Sequence, residues 1–330
     1  MKMKNMEKEL PKPTVAVRPL SFKEKEESCK SVFKDLLDRY GEIWHLCTPG
    51  QKQPIIFKEK SDYEIGMRVI GMCALDCPTI RIITFELMSN HIHFIICGEA
   101  DSVNDFFSLV KRRLTYFFKS EGRPVNLTEF KPNLIPIKDL ESIRNQIVYT
   151  NRNNYLVDDS QTPFSYPYGA NGFYFMDFAK KLYNTEYGLL TIRQRKEFTK
   201  SHDYDYPMDT KIIDNYFSPA SYCLISEGER LFRDARHYFY KLSKDIESTK
   251  DIALLNGDTI LYTDDELVSL TWHICRKDYG GIAPTLLSPE NKIILAKTLH
   301  YDYYASNARI SRLLKMPLEM VSSMFPLKTK

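Results

Sequence analysis

Two histidines separated by a single residue, His91 and His93, are the first side chains in the sequence whose types and spacing could do chemistry. They fall in a β-rich run, and side chains two apart in a strand point to the same face, so the two imidazoles would lie side by side. Such a pair forms half of a site for a divalent metal ion. Packed or solvated histidines would give the same pattern, so the pair alone does not establish a site.

A tyrosine and an asparagine, Tyr149 and Asn153, lie four residues apart in a segment that predicts a helix over 139–153. Residues at this spacing share a helix face, and this face is opposite the apolar stripe of the same helix. A phenol there could attack phosphorus while the amide oxygen completes the ligand shell of a metal ion. Tyr116 is the rival nucleophile, but no amide side chain follows it four residues later.

Together the two motifs resemble those of the REP-associated tyrosine transposases, a family of single-tyrosine transposases of the HUH class. That family is similar in having a Met-x-Asn-His-hydrophobe-His hairpin, here Met88 to His93, followed by a helix with Tyr-x-x-x-Asn. Positions 93 and 149 are 56 residues apart, and the resemblance covers residues 40–157. The chain departs from the family in having Asn153-Asn154 where Asn-Pro is common, which concerns only how the helix ends.

The resemblance implies a site and a mechanism. His91, His93 and Asn153 would bind one divalent cation, magnesium or manganese, and Tyr149 would attack the scissile phosphate to leave a 5′-phosphotyrosine and a free 3′ hydroxyl. The implied substrate is single-stranded DNA with hairpins, cut and rejoined during DNA transposition. Two other functions stay open: a domesticated, non-catalytic DNA-binding protein, and a replication-initiator or relaxase-like nicking enzyme, which often has its tyrosine before the histidine pair.

Basic residues near these motifs are candidate DNA contacts, because phosphate binding uses clustered Lys and Arg. Three of them lie off the apolar stripe of a helix predicted over 102–119, and two lie in the tyrosine helix. The candidates are Lys111, Arg112, Arg113, Arg144 and Arg152. A solvated helix surface would give the same pattern.

The elements that must position these residues predict an α+β fold. The strand signals come before the helices that would cover them, and this order indicates an antiparallel sheet with helices on one or both faces. An HUH or ferredoxin-like nuclease core has this arrangement. Apolar periodicity also predicts helices over 23–40 and 62–76, short strands over 43–46 and 55–57, and a hairpin over 81–98.

Composition changes along the chain predict its division. Residues 1–20 form a flexible basic tail, 21–161 the nuclease domain, 162–174 a linker rich in Pro, Gly and aromatics, and 175–330 a mostly α-helical region. A candidate helix-turn-helix occupies 288–325, although its second helix has no Arg or Lys to contact bases.

Overall composition excludes several classes of protein. The 330 residues carry a net charge of only +3, so any DNA-binding surface must be local. The seven cysteines include no CxxC, which argues against a disulfide framework and a cysteine zinc site, and favours a reducing compartment. Without a long apolar run, we expect a cytoplasmic protein without a membrane span, and the C-terminal extension favours a monomer over a homodimer.

Overall fold

The computed structural model describes residues 18–48, 55–157, 166–201, 204–244 and 264–326. Its centre is a four-stranded antiparallel sheet with the strand order β2-β3-β1-β4. The strands are β1 (Ile43–Cys47), β2 (Arg81–Leu87), β3 (Ile92–Cys97) and β4 (Asn133–Pro136). The predicted α+β class, with an antiparallel sheet, helices and a helical C-terminal region, is confirmed.

One predicted strand, 55–57, is wrong. Residues 55–58 form no strand, and the backbone N–H groups of Ile56 and Phe57 both donate to the carbonyl of Ser89. Both side chains are buried. The apolar run is therefore explained by burial and not by strand pairing, two causes that a short apolar segment does not distinguish.

Four long helices flank the sheet: α1 (Phe22–Tyr40), α2 (Lys60–Asp76), α3 (Ala100–Ser120) and α4 (Leu140–Val157). The first begins at a capping box in which the Ser21 hydroxyl accepts from the N–H of Glu24, and it ends at Gly41, whose φ of 81° suits glycine. The predicted helices 23–40, 62–76, 102–119 and 139–153 are all present, each one to four residues longer at one or both ends.

The two faces of the sheet have different neighbours. On β3, Phe94 points to the face that α3 covers, and its ring centroid lies 5.4 Å from that of Phe106. His93, the preceding residue, points to the opposite face, where its ring lies 5.5 Å from that of Tyr149 in α4. The sheet therefore separates the layer that contains α3 from the layer that contains the tyrosine helix.

The segment predicted as a linker, 162–174, is described from residue 166 onward, and this part belongs to the core. Ala170 donates its N–H to the carbonyl of Phe85 at 3.0 Å, and the Tyr174 hydroxyl donates to the carbonyl of Ile83 at 3.0 Å. Ala170 and Tyr174 are fully buried. This stretch therefore packs along β2 and does not separate two domains.

The chain that follows is less purely helical than the sequence predicts. A small antiparallel sheet packs on α2 and consists of β5 (Thr185–Glu186), β6 (Lys211–Ile213) and β7 (Tyr216–Phe217). The helices of this region are α5 (Ile192–Thr199), α6 (Ile225–Arg230) and α7 (Ala235–Lys244). The main hydrophobic core extends from Val32 to Leu242. It thus includes residues on both sides of the predicted boundary.

A second hydrophobic core, from Leu267 to Phe325, belongs to the C-terminal helices. These are α8 (Asp264–Asp278), α9 (Pro289–Tyr301), α10 (Asn307–Leu314) and α11 (Leu318–Met324). Lys315 ends α10 in the left-handed conformation, and α11 begins after Pro317. The predicted helical pair is therefore present within 288–325. Among the described residues, the main core thus continues to Leu242 and the second core begins at Leu267.

Candidate metal and tyrosine centre

A row of polar side chains crosses the face of the sheet that α4 covers. Cys47 on β1 is the direct cross-strand partner of His93 on β3, which in turn is opposite Glu86 on β2. Asn133 on β4 is opposite Cys47 and extends the row to the fourth strand. Directly opposed residues in an antiparallel pair point to the same face. The pairing therefore collects a thiol, an imidazole, a carboxylate and an amide along one line.

Two side chains of this row, Cys47 and His93, lie close enough to a third, His45, to share an ion with it. His45 lies two residues before Cys47 on β1, and its Nε2 atom is 3.0 Å from the Nδ1 atom of His93. One donor atom each from His45, Cys47 and His93 lies within 4.8 Å of the other two. All three residues are fully buried. The arrangement is a water-excluded cluster of two imidazoles and one thiol.

Tyr149 lies directly against this cluster. Its ring centroid is 5.5 Å from that of His93 and 6.0 Å from that of His45, and only 2% of its surface is exposed. The His91 ring lies 5.0 Å from the His93 ring, and its Nδ1 atom is 2.8 Å from the Oδ1 atom of Asn90. The structure thus places the rings of His91, His93 and Tyr149 in one group, with His91 directly before the first residue of β3. The side chain of Asn153 lies outside the described residues.

Burial also affects the protonation of the cluster. The pKa of His93 is well below its usual value, first because burial disfavours the charged ring and second because His91 is close. Burial therefore favours the neutral form of the His93 imidazole in the folded protein. A neutral ring is the form that can bind a metal ion.

A buried hydrogen-bond network holds the tyrosine helix on the sheet. The Thr84 hydroxyl donates to Oδ1 of Asn151 at 2.6 Å, and Nδ2 of Asn151 donates to the Tyr238 hydroxyl at 2.8 Å. Tyr238 donates in turn to Oδ1 of Asn171 at 2.6 Å, and Nδ2 of Asn171 donates to the carbonyl of Asn151. Because Asn151 is two residues from Tyr149, this closed network fixes the position of the tyrosine backbone.

Arg144 anchors the same helix from another direction, which corrects its sequence prediction as a DNA contact. Its guanidinium donates to Glu26 of α1 at 2.7 and 3.2 Å, and its Nε donates to the carbonyl of Leu231 at 2.7 Å. The side chain is 2% exposed, so its charge is already paired in the interior. Arg152 is also buried. Neither guanidinium is exposed at the surface of the protein.

The basic cluster of α3 lies in the other layer of the molecule. Arg113 pairs with Asp76 of α2 at 2.5 Å, whereas Arg112 is exposed and Lys111 is half-buried. A surface groove of about 350 Å³ runs between this helix and the end of α5. It is lined by Met72, Arg112, Arg113, Tyr116, Phe117, Thr199, Lys200 and Ser201.

Tyr116, the rival nucleophile, is 55% exposed in that groove. It belongs to α3, on the side of the sheet away from the histidines. The geometry therefore favours Tyr149 over Tyr116 as the partner of the histidine pair. Tyr116 instead lines the groove beside Arg112 and Arg113.

Sequence reasoning missed His45 and Cys47. The signal was available, since a His-x-Cys pair in a predicted strand follows the same period-two rule as His91 and His93. The absence of a CxxC motif argues only against a site built from paired cysteines, and a mixed site of His and Cys does not need one. No disulfide joins any of the seven cysteines, all of which lie in the described ranges.

Comparison of the chain with protein-family models, curated proteins and solved structures gave no match. The geometry and the sequence motifs are therefore the basis for assigning a function. Among the described helices, none combines the length and apolar character that crossing a membrane requires.

Proposed function

We propose that the chain is a metal-dependent endonuclease and strand transferase for single-stranded DNA that acts in DNA transposition through a 5′-phosphotyrosine at Tyr149. The observation that carries the proposal is the 5.5 Å approach of the Tyr149 ring to the His93 ring. These residues come from a sheet hairpin and a separate helix, and they are the two motifs that resemble the transposase family. Their juxtaposition supports a single reaction centre.

The proposed reaction is a transesterification. The phenolic oxygen of Tyr149 gives up its proton and forms a bond to phosphorus, and the bond from phosphorus to the 3′ oxygen of the preceding nucleotide breaks. That oxygen takes a proton and leaves as a free 3′ hydroxyl. Because the phosphodiester is conserved in the protein–DNA bond, a second 3′ hydroxyl can reverse the step without an external energy source.

The ligand set implied by the resemblance is His91, His93 and Asn153, with magnesium or manganese. When bound, such a cation would withdraw charge from the scissile phosphate. Magnesium prefers oxygen ligands and keeps several waters, whereas imidazole is a common ligand of first-row transition metals. The buried imidazole of His93 therefore fits manganese better than magnesium, and manganese is the cation that we propose.

Single-stranded DNA with hairpins is the proposed partner, bound by a monomer. A single strand can bend into a site on a rigid helix, whereas a paired duplex holds its phosphates in a regular backbone. The α3 groove combines exposed Arg112 and half-buried Lys200 with the ring of Tyr116, which suits phosphate contact and base stacking. Because it lies across the sheet from Tyr149, we assign it to a flanking part of the DNA and not to the scissile nucleotide.

A second candidate, a domesticated DNA-binding protein that does not cleave, is favoured by the burial of the centre. Tyr149 is 2% exposed and His93 is fully buried. A phosphodiester can reach the phenol only after α4 or the chain around it moves. The cleavage proposal therefore includes opening of the centre on DNA binding, and the second candidate does not require it.

The polarity of the covalent bond provides the test. Hairpin DNA with a single-stranded flank is incubated with the full chain and manganese, labelled either at its 3′ end or at its 5′ end, and resolved on a denaturing gel. A 5′-phosphotyrosine places the 3′ label in a slow protein–DNA band and the 5′ label in a shortened free oligonucleotide. The reverse distribution contradicts the mechanism, and binding without any covalent band supports the second candidate.

A further inference from the structure

We infer that His45, Cys47 and His93 form a closed binding site for a zinc-class cation, distinct from the manganese set proposed above but sharing His93 with it. The inference rests on these three side chains and holds whether or not Tyr149 cleaves DNA. It assigns a ligand role to two β1 residues that the transposase motifs do not include.

The donor atoms lie near the separations found in a ligand shell. Two nitrogens bound to one tetrahedral zinc ion, each at about 2.0–2.1 Å, are separated by about 3.3 Å. The His45 and His93 nitrogens are 3.0 Å apart, and the donor atoms of all three residues lie within 4.8 Å of one another. Only small side-chain rotations would be needed to bring the three donors around a common ion.

The sheet holds these donors in place before any ion binds. Cys47 and His93 are direct cross-strand partners, and His45 shares their face from two residues along β1. Both strands are internal in the sheet, since the order is β2-β3-β1-β4. A site on two paired central strands requires little ordering of the backbone on binding, and this favours affinity.

The types of donor determine which ions fit. A thiolate with two imidazoles is a soft to borderline set, which suits zinc and cobalt(II) and is poor for magnesium and calcium. The complete burial of all three residues matches the closed character of such sites. A direct hydrogen bond between the two imidazoles, without any metal ion, would also explain the 3.0 Å contact. The experiment must therefore distinguish a metal site from a hydrogen-bonded pair of histidines.

Cobalt(II) is the probe that separates them, because a cobalt–thiolate bond produces a charge-transfer band and tetrahedral cobalt produces intense visible bands. The full chain, freed of metal by a chelator, is titrated with cobalt(II) and then with zinc. We expect both spectral features at one cobalt per chain, and their loss as zinc displaces the cobalt. A wild-type spectrum without the thiolate band overturns the inference and requires no variant.

Variants then assign the ligands. Cys47→Ala should abolish the charge-transfer band, and His45→Ala should weaken cobalt binding by more than about tenfold, the loss that even an outer-shell partner can cause. The matched control is Cys97→Ala, a buried thiol on the same strand as His93, which should leave the spectrum unchanged. Retention of the thiolate band in a folded Cys47→Ala protein, or its loss in a folded Cys97→Ala protein, contradicts the assignment.

Discussion

The Nε2 atom of His45 lies 3.0 Å from the Nδ1 atom of His93, and each of these rings also contacts the ring of Tyr149. His93 therefore belongs both to the zinc-class site and to the manganese set of the proposed reaction. One neutral imidazole ring does not serve two ions at once. The two metals should compete.

Zinc is therefore expected to inhibit manganese-dependent cleavage, an effect that rests on the proposed function. Titrating zinc into a reaction with labelled hairpin DNA should lower the yield of covalent adduct in the wild type. In Cys47→Ala the zinc concentration needed should rise by about tenfold or more, because the thiolate ligand is gone. Cys97→Ala is the control and should match the wild type. Equal zinc sensitivity in all three proteins would show that the two sites are not linked.

The Asn151 network should contribute to stability as well as to position. Asn151→Ala leaves the buried Thr84 and Tyr238 hydroxyls without this partner, so the free energy of unfolding should fall by about 1–3 kcal/mol. Urea denaturation followed by circular dichroism measures the change. Asn104→Ala, at an exposed position of α3, is the control and should change stability by less than about 0.5 kcal/mol. A similar small change in Asn151→Ala would show that the network is not stabilising.

Arg144 should behave as a structural residue. Arg144→Ala removes the nearest partner of the partly buried Glu26 carboxylate, which keeps its contact with Arg233 at 3.2 Å, so the free energy of unfolding should fall by about 1–3 kcal/mol. Arg112→Ala, which removes an exposed guanidinium, should leave stability within about 0.5 kcal/mol of the wild type but weaken DNA binding. Chemical denaturation and oligonucleotide titration of both variants test this prediction. If Arg144→Ala keeps its stability but binds DNA more weakly, Arg144 is a DNA contact and not a structural residue.

How much of the fold and of the candidate site could be predicted from the sequence depends on how far apart along the chain the interacting residues lie. The hairpin with His91 and His93 and the helix with Tyr149 follow from local periodicity, and so they were predictable. The cluster with His45 and Cys47 depends on the pairing of β1 with β3, which brings together residues 48 apart in the chain. Local patterns contain no information on which strands pair.

The same limit explains the errors at other positions. The partner of Arg144 lies 118 residues away in α1, so nothing near Arg144 in sequence shows that its charge is paired. The stretch 166–174 has the Pro, Gly and Asn content of a linker. Its aromatic side chains pack along β2 nonetheless, because the apolar surface that Tyr174 buries outweighs the turn-forming tendency of its neighbours.

Two groups outside the histidine cluster, His237 and Glu26, should make the fold less stable in acid over different pH ranges. The pKa of His237 is lowered to about 4 from 6.5, mainly by burial, and the pKa of Glu26 is lowered to about 2 from 4.5, mainly by the hydrogen bond from Arg144. Both groups therefore bind protons more weakly in the folded state than in the unfolded state. Their stabilisation is complete above about pH 6.5. It should be lost for His237 as the pH falls from 6.5 to 4 and for Glu26 as it falls from 4.5 to 2.

Chemical denaturation at a series of pH values measures this loss. In His237→Gln, stability should depend less on pH than in the wild type between pH 6.5 and 4, because the variant has no imidazole at this position to titrate. Glu26→Gln should differ from the wild type mainly below pH 4.5. Wild-type and His237→Gln curves with the same slope between pH 6.5 and 4 would show that His237 titrates normally in the fold.

The central claim, that Tyr149 is the nucleophile, is tested most directly by covalent adduct formation in Tyr149→Phe and Tyr116→Phe with 3′-labelled hairpin DNA and manganese. Tyr149→Phe removes only the reacting oxygen, so it should bind the oligonucleotide with wild-type affinity and form no adduct. Tyr116→Phe should still form the adduct, since its ring lies on the other side of the sheet. An adduct that persists in Tyr149→Phe and disappears in Tyr116→Phe would contradict the account and move the reaction to α3.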